Sequence, residues 1–226
     1  MSIAVKLVRA INRTARLLDP DTKIFFIGFN RTATVSLHLL MQKARIRSVH
    51  WREDGADSPN VAREIDLRIS DDRALRAYMD RWTAFSDLSG GLPGQSLEGN
   101  RHFRRFDELF PRSYFVLNDR DTEAWIRSRT VFQDGRLIPE HAWHLGVSES
   151  QVPDMWRAMK EQHTADVLEY FRNRKRFLHF RIDADSPDVL TSFLWPRFVV
   201  SPRWWRHSNQ TVVHDRASPD TLPVAA

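Results

Sequence analysis

The sequence contains no cysteine. Disulfides, thiol nucleophiles and thiolate metal sites are excluded, and the composition fits a reducing compartment, so a cytoplasmic location is expected. Long apolar runs are also missing. Nothing approaches the roughly 18 consecutive apolar residues of a membrane span, so no transmembrane segment is expected. The opening stretch, MSIAVKLVRAINRTARLL, is broken by Lys6, Arg9, Arg13 and Arg16 and is not expected to act as a secretory leader. It reads as a basic amphipathic helix within residues 1–20, with Ile3, Val5, Leu7, Val8, Ile11 and Leu17 near one side. The expectation is a helix packed on the domain ahead of the first strand, with weak contact to a membrane surface as the alternative. Runs of like charge are absent too. The formal charge of +5 suits an anionic ligand, yet the arginines are spread among 29 acidic residues, so nucleic acid is not an expected partner.

What is present is enough for a packed core. A chain of 226 residues, 42% apolar and with eight tryptophans, is long enough for one sizeable α/β domain. With no internal repeat and no linker, residues 1–211 are read as a single domain and 212–226 as a loosely ordered polar tail. Lys23–Phe29 (KIFFIGF) is a near-continuous apolar run of the kind a buried parallel strand requires. From Thr34, the recurrence of Leu37, Leu40, Met41 and Ala44 predicts a helix with one buried face. Arg47–Trp51 then reads as a second strand, completing a βαβ unit with a right-handed crossover. Two helices are expected within 52–82, a strand at Thr83–Leu88, a loop at Ser89–Gly99 and a short helix at Phe103–Phe110. Tyr114–Asn118 reads as a central strand, and Asp121 as the N-cap of the helix after it. Residues 131–153 read as loop and Asp154–Arg174 as a long helix. Phe177–Ile182 reads as a strand, with a further helix starting at Ser186-Pro187-Asp188.

The turn after the first strand carries the chemistry. Gly28-Phe29-Asn30-Arg31-Thr32-Ala33-Thr34-Val35-Ser36 leads into a helix N-terminus, where unpaired backbone N–H groups and a positive dipole end favour an anion. Arg31 adds a cation, and Thr32, Thr34 and Ser36 add hydroxyls. The ATP- and GTP-type signature GxxxxGK[ST] is absent, and with it the Lys-Ser/Thr pair that would hold magnesium. A nucleotide kinase or NTPase is therefore disfavoured, and a polar βα turn without a ligand stays open on the loop alone.

This loop resembles the 5′-phosphosulfate loop of sulfotransferases, strand–G-x-x-[KR]-[ST]-G-T-T-S-L–helix, with Arg31 at the cationic position, Thr34 at the first threonine and Ser36 at the serine. Ala33 stands where the family has glycine, and Val35 stands at its second threonine. A second stretch, Tyr114-Phe-Val-Leu-Asn-Asp-Arg120-Asp-Thr-Glu-Ala-Trp-Ile-Arg-Ser128, resembles the family's 3′-phosphate site, an Arg at a strand end followed by a Ser on the next helix. An Arg grips phosphate bidentately, and a Ser hydroxyl can donate to it from the helix. Phe103–Arg129, the helix bearing His163, Val167, Tyr170 and Phe171, the segment Phe180–Asp185 and Trp204–Thr211 extend the resemblance over about residues 23–211.

The resemblance implies a three-layer P-loop-type parallel sheet flanked by helices. It also implies a sulfuryl donor, 3′-phosphoadenosine 5′-phosphosulfate (PAPS), bound by Asn30, Arg31, Thr32, Ala33, Thr34, Val35, Ser36, Arg120 and Ser128, with Arg206 and Asn209 closing over it. Arg31 is the expected stabiliser of the leaving oxygen. Asp87 is the first candidate base, at the place matching the histidine base of cytosolic sulfotransferases, and His50, by its place at a strand end, is the second. No metal is required. The acceptor is a hydroxyl or amine, a saccharide being one class that suits a basic surface rich in aromatics. The alternative reading keeps the fold as a nucleotide-binding module without turnover, because of Ala33 and Val35. His38 could face the site or solvent. His141 and His144 have a metal-pair spacing without a third ligand nearby. His163 reads as a core residue, and Trp204 and Trp205 as packing or as a stacking platform.

Overall fold

The computed structural model describes residues 3–55, 57–92 and 95–208. A helix, α1 (Ile3–Leu18), precedes the first strand, β1 (Ile24–Phe26), which leads into α2 (Thr34–Lys43) and β2 (Ser48–His50). Two short helices, α3 (Val61–Asp66) and α4 (Asp72–Met79), return the chain to β3 (Ala84–Ser86). Next come β4 (Ser89–Leu92), β5 (Gln95–Glu98), α5 (Phe103–Leu109) and β6 (Tyr114–Asp119). The remainder is α6 (Thr122–Thr130), α7 (Leu137–Leu145), α8 (Val152–Phe171), β7 (Phe177–Arg181) and α9 (Pro187–Leu194).

Five strands form one parallel sheet in the order β2-β3-β1-β6-β7. The near-continuous apolar strands are what a sheet covered on both faces demands, and alternate residues serve opposite faces. Phe25, Phe85 and Phe115, in register across β1, β3 and β6, point into a cluster with Val61, Leu75, Met79, Phe103, Phe106, Val167 and Phe171. Their neighbours Ile24, Ala84 and Tyr114 point the other way, with Phe26 and Val116, onto Leu37, Leu40 and Met41 of α2 and Leu190 and Leu194 of α9. The result is a three-layer α/β architecture, and β6 lies inside the sheet as its sequence suggests.

A third cluster, around Phe29, Trp125, Leu137, Val152 and Trp156, joins α6, α7 and α8 beyond the strand ends. Helix α1 is tied to the body by Asn12, whose buried amide donates to the Ala44 and Val199 carbonyls and accepts from the Val199 N–H. Leu7, Leu17 and Leu18 of α1 are exposed. No helix among the described residues is long and apolar enough to cross a membrane.

Two stretches expected to be irregular are ordered elements. Ser89–Gly99 contains an antiparallel hairpin, β4 pairing with β5 from Ser89↔Glu98 to Leu92↔Gln95. Its glycines and single proline hide the alternation by which a strand is recognised. Residues 131–153 contain α7, whose Pro139 falls in the first turn, where a missing N–H costs nothing.

Candidate functional site

The functional side chains lie just past the carboxyl ends of the parallel strands, where ligands of open α/β sheets bind. The turn after β1 packs directly on β6. A Cβ placed on Gly28 would lie 1.9 Å from the Asn118 carbonyl oxygen, so glycine is required there. The Asn118 side chain then threads the loop. It accepts from Gly28 N–H at 2.9 Å and donates to the Thr32 carbonyl at 3.0 Å and the Thr32 hydroxyl at 2.7 Å. The Thr32 hydroxyl donates to the Phe29 carbonyl at 2.5 Å, and Trp125 Nε1 donates to the Asn30 carbonyl at 2.8 Å. The Thr32 hydroxyl is thus engaged within the loop and does not line the cleft, which corrects its expected role as a hydroxyl donor. Asn30, Arg31, Ala33, Thr34, Val35 and Ser36 face a cleft of about 1130 Å³. Arg31 and Ala33 have left-handed backbones, φ 66° and 61°. Ala33 caps α2 without a side-chain hydrogen bond, so the first N–H groups of that helix keep their capacity for an anion.

The two sequence anchors meet in space. Arg31 Nε donates to the Ser128 hydroxyl at 3.1 Å, and the guanidinium lies 4.4 Å from the Phe132 ring centre. Arg120 lines the same cleft and pairs with Asp183 at 3.4 Å. Burial lowers the Arg31 pKa, the charge of Arg120 lowers it further, and Asp87 opposes both. Two cations held this close favour an anion between them. Beneath Arg120, the Asp119 carboxylate takes Lys160 Nζ at 2.8 Å and His179 Nε2 at 2.9 Å. Burial would raise the Asp119 pKa, but these bonds and the lysine charge bring it down to about 2.

Both candidate bases converge on the loop. His50, ending β2, lies 3.5 Å from Asp87 at the end of β3. Thr34 Oγ1 links them, 3.2 Å from His50 Nε2 and 3.4 Å from the Asp87 carboxylate. Ser89 Oγ donates to the other Asp87 oxygen at 2.5 Å. Asp87 also has a left-handed backbone, φ 51°, as does Trp51 at 57°, a form of local strain that gathers at functional sites. His38 bonds Ser48 Oγ at 2.9 Å, its ring 5.5 Å from that of His50, and burial followed by the His50 charge lowers its pKa to about 4. It backs the pair without lining the cleft.

The opposite wall comes from the hairpin and α7, through Gly90, Gly91, Glu98, Glu140, His141 and His144. Neither element was visible as a wall in the sequence. The Glu98 carboxyl is raised to about 7, first by burial and then by Asp87, against the charges of Arg129 and Arg101.

A family model, the sulfotransferase domain, matches residues 23–176, about two thirds of the chain. The chain belongs to the sulfotransferase family. No curated protein matches it. The matched span runs from just before β1 to the residue before β7, so the loop, His50, Asp87, Arg120 and Ser128 all lie inside the sulfotransferase domain. The three-layer parallel sheet agrees with the P-loop-type fold of that family.

Outside the matched span, Ser208 N–H donates to Ser36 Oγ at 3.1 Å, which brings Trp205, His207 and Ser208 to the cleft. Trp204 and Trp205 pack on the α2–α9 cluster, Trp205 alone of the two also lining the cleft. Arg206 is exposed and not part of the cleft wall, which corrects its expected place over the nucleotide. Asn209 and the tail 212–226 lie outside the described residues. His141 is held by Trp156 Nε1 at 3.1 Å and Arg129 at 3.2 Å, and burial lowers its pKa to about 3. It is a packing histidine of the sulfotransferase domain, and no group of three metal-ligating side chains exists among the described residues. His163, bonded at 2.8 Å to the Ile27 carbonyl, is a core residue as read from its stripe. Asn118 organises the loop, yet the sequence marks it only as the end of an apolar strand. Its role depends on the β1–β6 pairing.

Proposed function

We propose that this protein transfers a sulfuryl group from PAPS to an acceptor hydroxyl or amine. The observation that carries the reading is the meeting of Arg31, Ser128 and Arg120 at one end of a cleft whose floor holds the His50–Asp87–Thr34 cluster. The cationic end suits a nucleotide with two anionic ends, with Arg120 and Ser128 toward the 3′-phosphate and Arg31 with the first N–H groups of α2 toward the phosphosulfate. In the transfer, the bond from sulfur to the phosphate oxygen breaks as the bond from sulfur to the acceptor forms. The acceptor proton passes to Asp87, with His50 at 3.5 Å as the neighbouring acceptor of that proton. The leaving phosphate oxygen gains negative charge, which Arg31 stabilises without a metal. Products are 3′,5′-phosphoadenosine, the sulfated acceptor and one proton.

A second reading, a nucleotide-binding module without turnover, draws on Ala33 and Val35. The first puts a Cβ on the cleft wall, and the second puts an apolar side chain where a hydroxyl would donate. Thermal stabilisation by 3′,5′-phosphoadenosine tests what the two readings share. Wild type is expected to gain several degrees, with Arg120→Ala and Arg31→Ala each losing most of the gain. An unshifted wild type refutes the donor assignment. Labelled PAPS then separates enzyme from module.

A further inference from the structure

Glu98 closes β5 opposite Ser89, whose hydroxyl is bonded to Asp87. The residue is only 8% exposed, and its carboxyl forms part of the cleft wall. Among the described residues no group donates a hydrogen bond to that carboxyl or pairs with it within contact distance. A carboxyl held in a cleft wall with no donor from the protein is a group whose partner a ligand can supply. Behind it, Arg129 is fully buried between the Trp125 and Trp156 rings, at 4.7 and 4.4 Å, with Nε and Nη1 unbonded. Its charge is felt by Glu98, but it does not make contact. Asp87 and Glu98 stand together on the hairpin side of the cleft, while Arg31 meets Ser128 and Arg120 pairs with Asp183 at the end assigned to the donor.

We propose that Glu98 is the charge-selecting residue of the acceptor subsite, and that the acceptor is an amino alcohol whose ammonium group supplies the donor this buried carboxyl lacks. The proposal rests on the transferase reading above. The ammonium stays protonated and is not the nucleophile. A hydroxyl of the same molecule loses its proton to Asp87 as its oxygen bonds to sulfur. An anionic acceptor is disfavoured on this wall by Asp87 and Glu98 together, and a neutral alcohol would leave Glu98 without a charged partner. Because burial raises the Glu98 pKa to about 7, an ammonium partner, which favours the carboxylate, binds more tightly as pH rises through neutrality. The charges facing Glu98 are Asp87 after β3, Arg129 on α6 and Arg101 in the turn before α5, and they oppose one another.

The test is an NMR titration of the full chain, with and without saturating 3′,5′-phosphoadenosine, using 4-aminobutan-1-ol, butane-1,4-diol and 4-hydroxybutanoate as matched probes. The amino alcohol is expected to bind about tenfold more tightly than the diol, as one charged pair allows, with the hydroxy acid weakest. Glu98→Gln is expected to abolish the preference while stabilisation by the nucleotide persists. Equal binding of amino alcohol and diol, or a preference that survives Glu98→Gln, overturns the proposal. Should Glu98→Gln not fold, the wild-type preference must still grow between about pH 6 and 8, and a flat profile overturns it equally. A wild type that ranks the probes without nucleotide but ignores 3′,5′-phosphoadenosine leaves Glu98 in place and removes only the donor assignment.

Discussion

Replacing Ala33 with glycine should stabilise the protein, although glycine is the worse residue inside a helix. Ala33 sits at φ 61° and ψ 24° as the residue before α2. A side chain with a Cβ in that left-handed region costs about 1–2 kcal/mol. Glycine removes that strain but gives the unfolded chain more freedom, which costs about 0.4–1 kcal/mol. The strain term is the larger, so Ala33→Gly is expected to gain roughly 0.5–1 kcal/mol, a rise of about 2–3 °C in Tm for a chain of this length. Ala77→Gly supplies the contrast. Ala77 is exposed within α4, carries no such strain, and its replacement should cost about 1 kcal/mol. Urea denaturation of both variants, with m unchanged from wild type, gives the two numbers. The Ala33 Cβ also lines the cleft, so its removal should tighten 3′,5′-phosphoadenosine binding severalfold by letting the phosphate approach the backbone. If Ala33→Gly were as destabilising as Ala77→Gly, the left-handed turn would be wrong, and with it the geometry of the anion site.

Gly28→Ala forces a Cβ to within 1.9 Å of a backbone oxygen on β6. A loss of at least about 2–3 kcal/mol in urea is expected, together with loss of nucleotide stabilisation. Asp87→Asn should lower turnover at least about 100-fold while leaving 3′,5′-phosphoadenosine binding near wild type. Asparagine tolerates the φ of 51° at this position, so strain would not explain the loss; unchanged turnover would remove Asp87 as the base. His163 is buried and neutral, its pKa lowered from 6.5 to about 4 chiefly by burial, against its bond to the Ile27 carbonyl. A depressed folded-state pKa means the stabilisation is full above pH 6.5 and is lost as pH falls through about 4. For this residue alone the change is on the order of 2–3 kcal/mol. Urea midpoints between those pH values should fall in wild type and fall less steeply in His163→Gln.

Much of the architecture was legible because the signals involved are local. The apolar runs of β1 and β6, the spacing of Leu37, Leu40 and Met41, the Asp121 cap and the Pro187 helix start each report a neighbourhood of a few residues. The cap is present, Asp121 accepting from Ala124 N–H at 2.8 Å. The hairpin and α7 were missed because their signals conflict. Glycine at positions 90 and 91 weakens strand propensity, and its reason is tertiary. A Cβ on Gly90 would strike Asn60 at 2.5 Å, and one on Gly91 would meet the His144 ring at 2.8 Å. Pro139 obscured α7 in the same way, though its place in the first turn makes it harmless.

The sequence by itself determined the class of fold, the parallel strands and most of the helices along the chain, and it marked the two arginines on which the proposed phosphate site depends. The elements follow from periodicity and Arg31 from the chemistry of its turn, while Arg120 was marked by resemblance to the family's motif. Only the tertiary structure decided which way side chains face. It turned the Thr32 hydroxyl onto the Phe29 carbonyl, set Arg206 outside the cleft, and joined His50, Asp87 and Thr34 from three separate turns. It also set Glu98, 8% exposed, in the wall of the cleft. Such facts depend on the parallel order β2-β3-β1-β6-β7, which brings distant strand ends to one edge, and no local pattern encodes that neighbourhood.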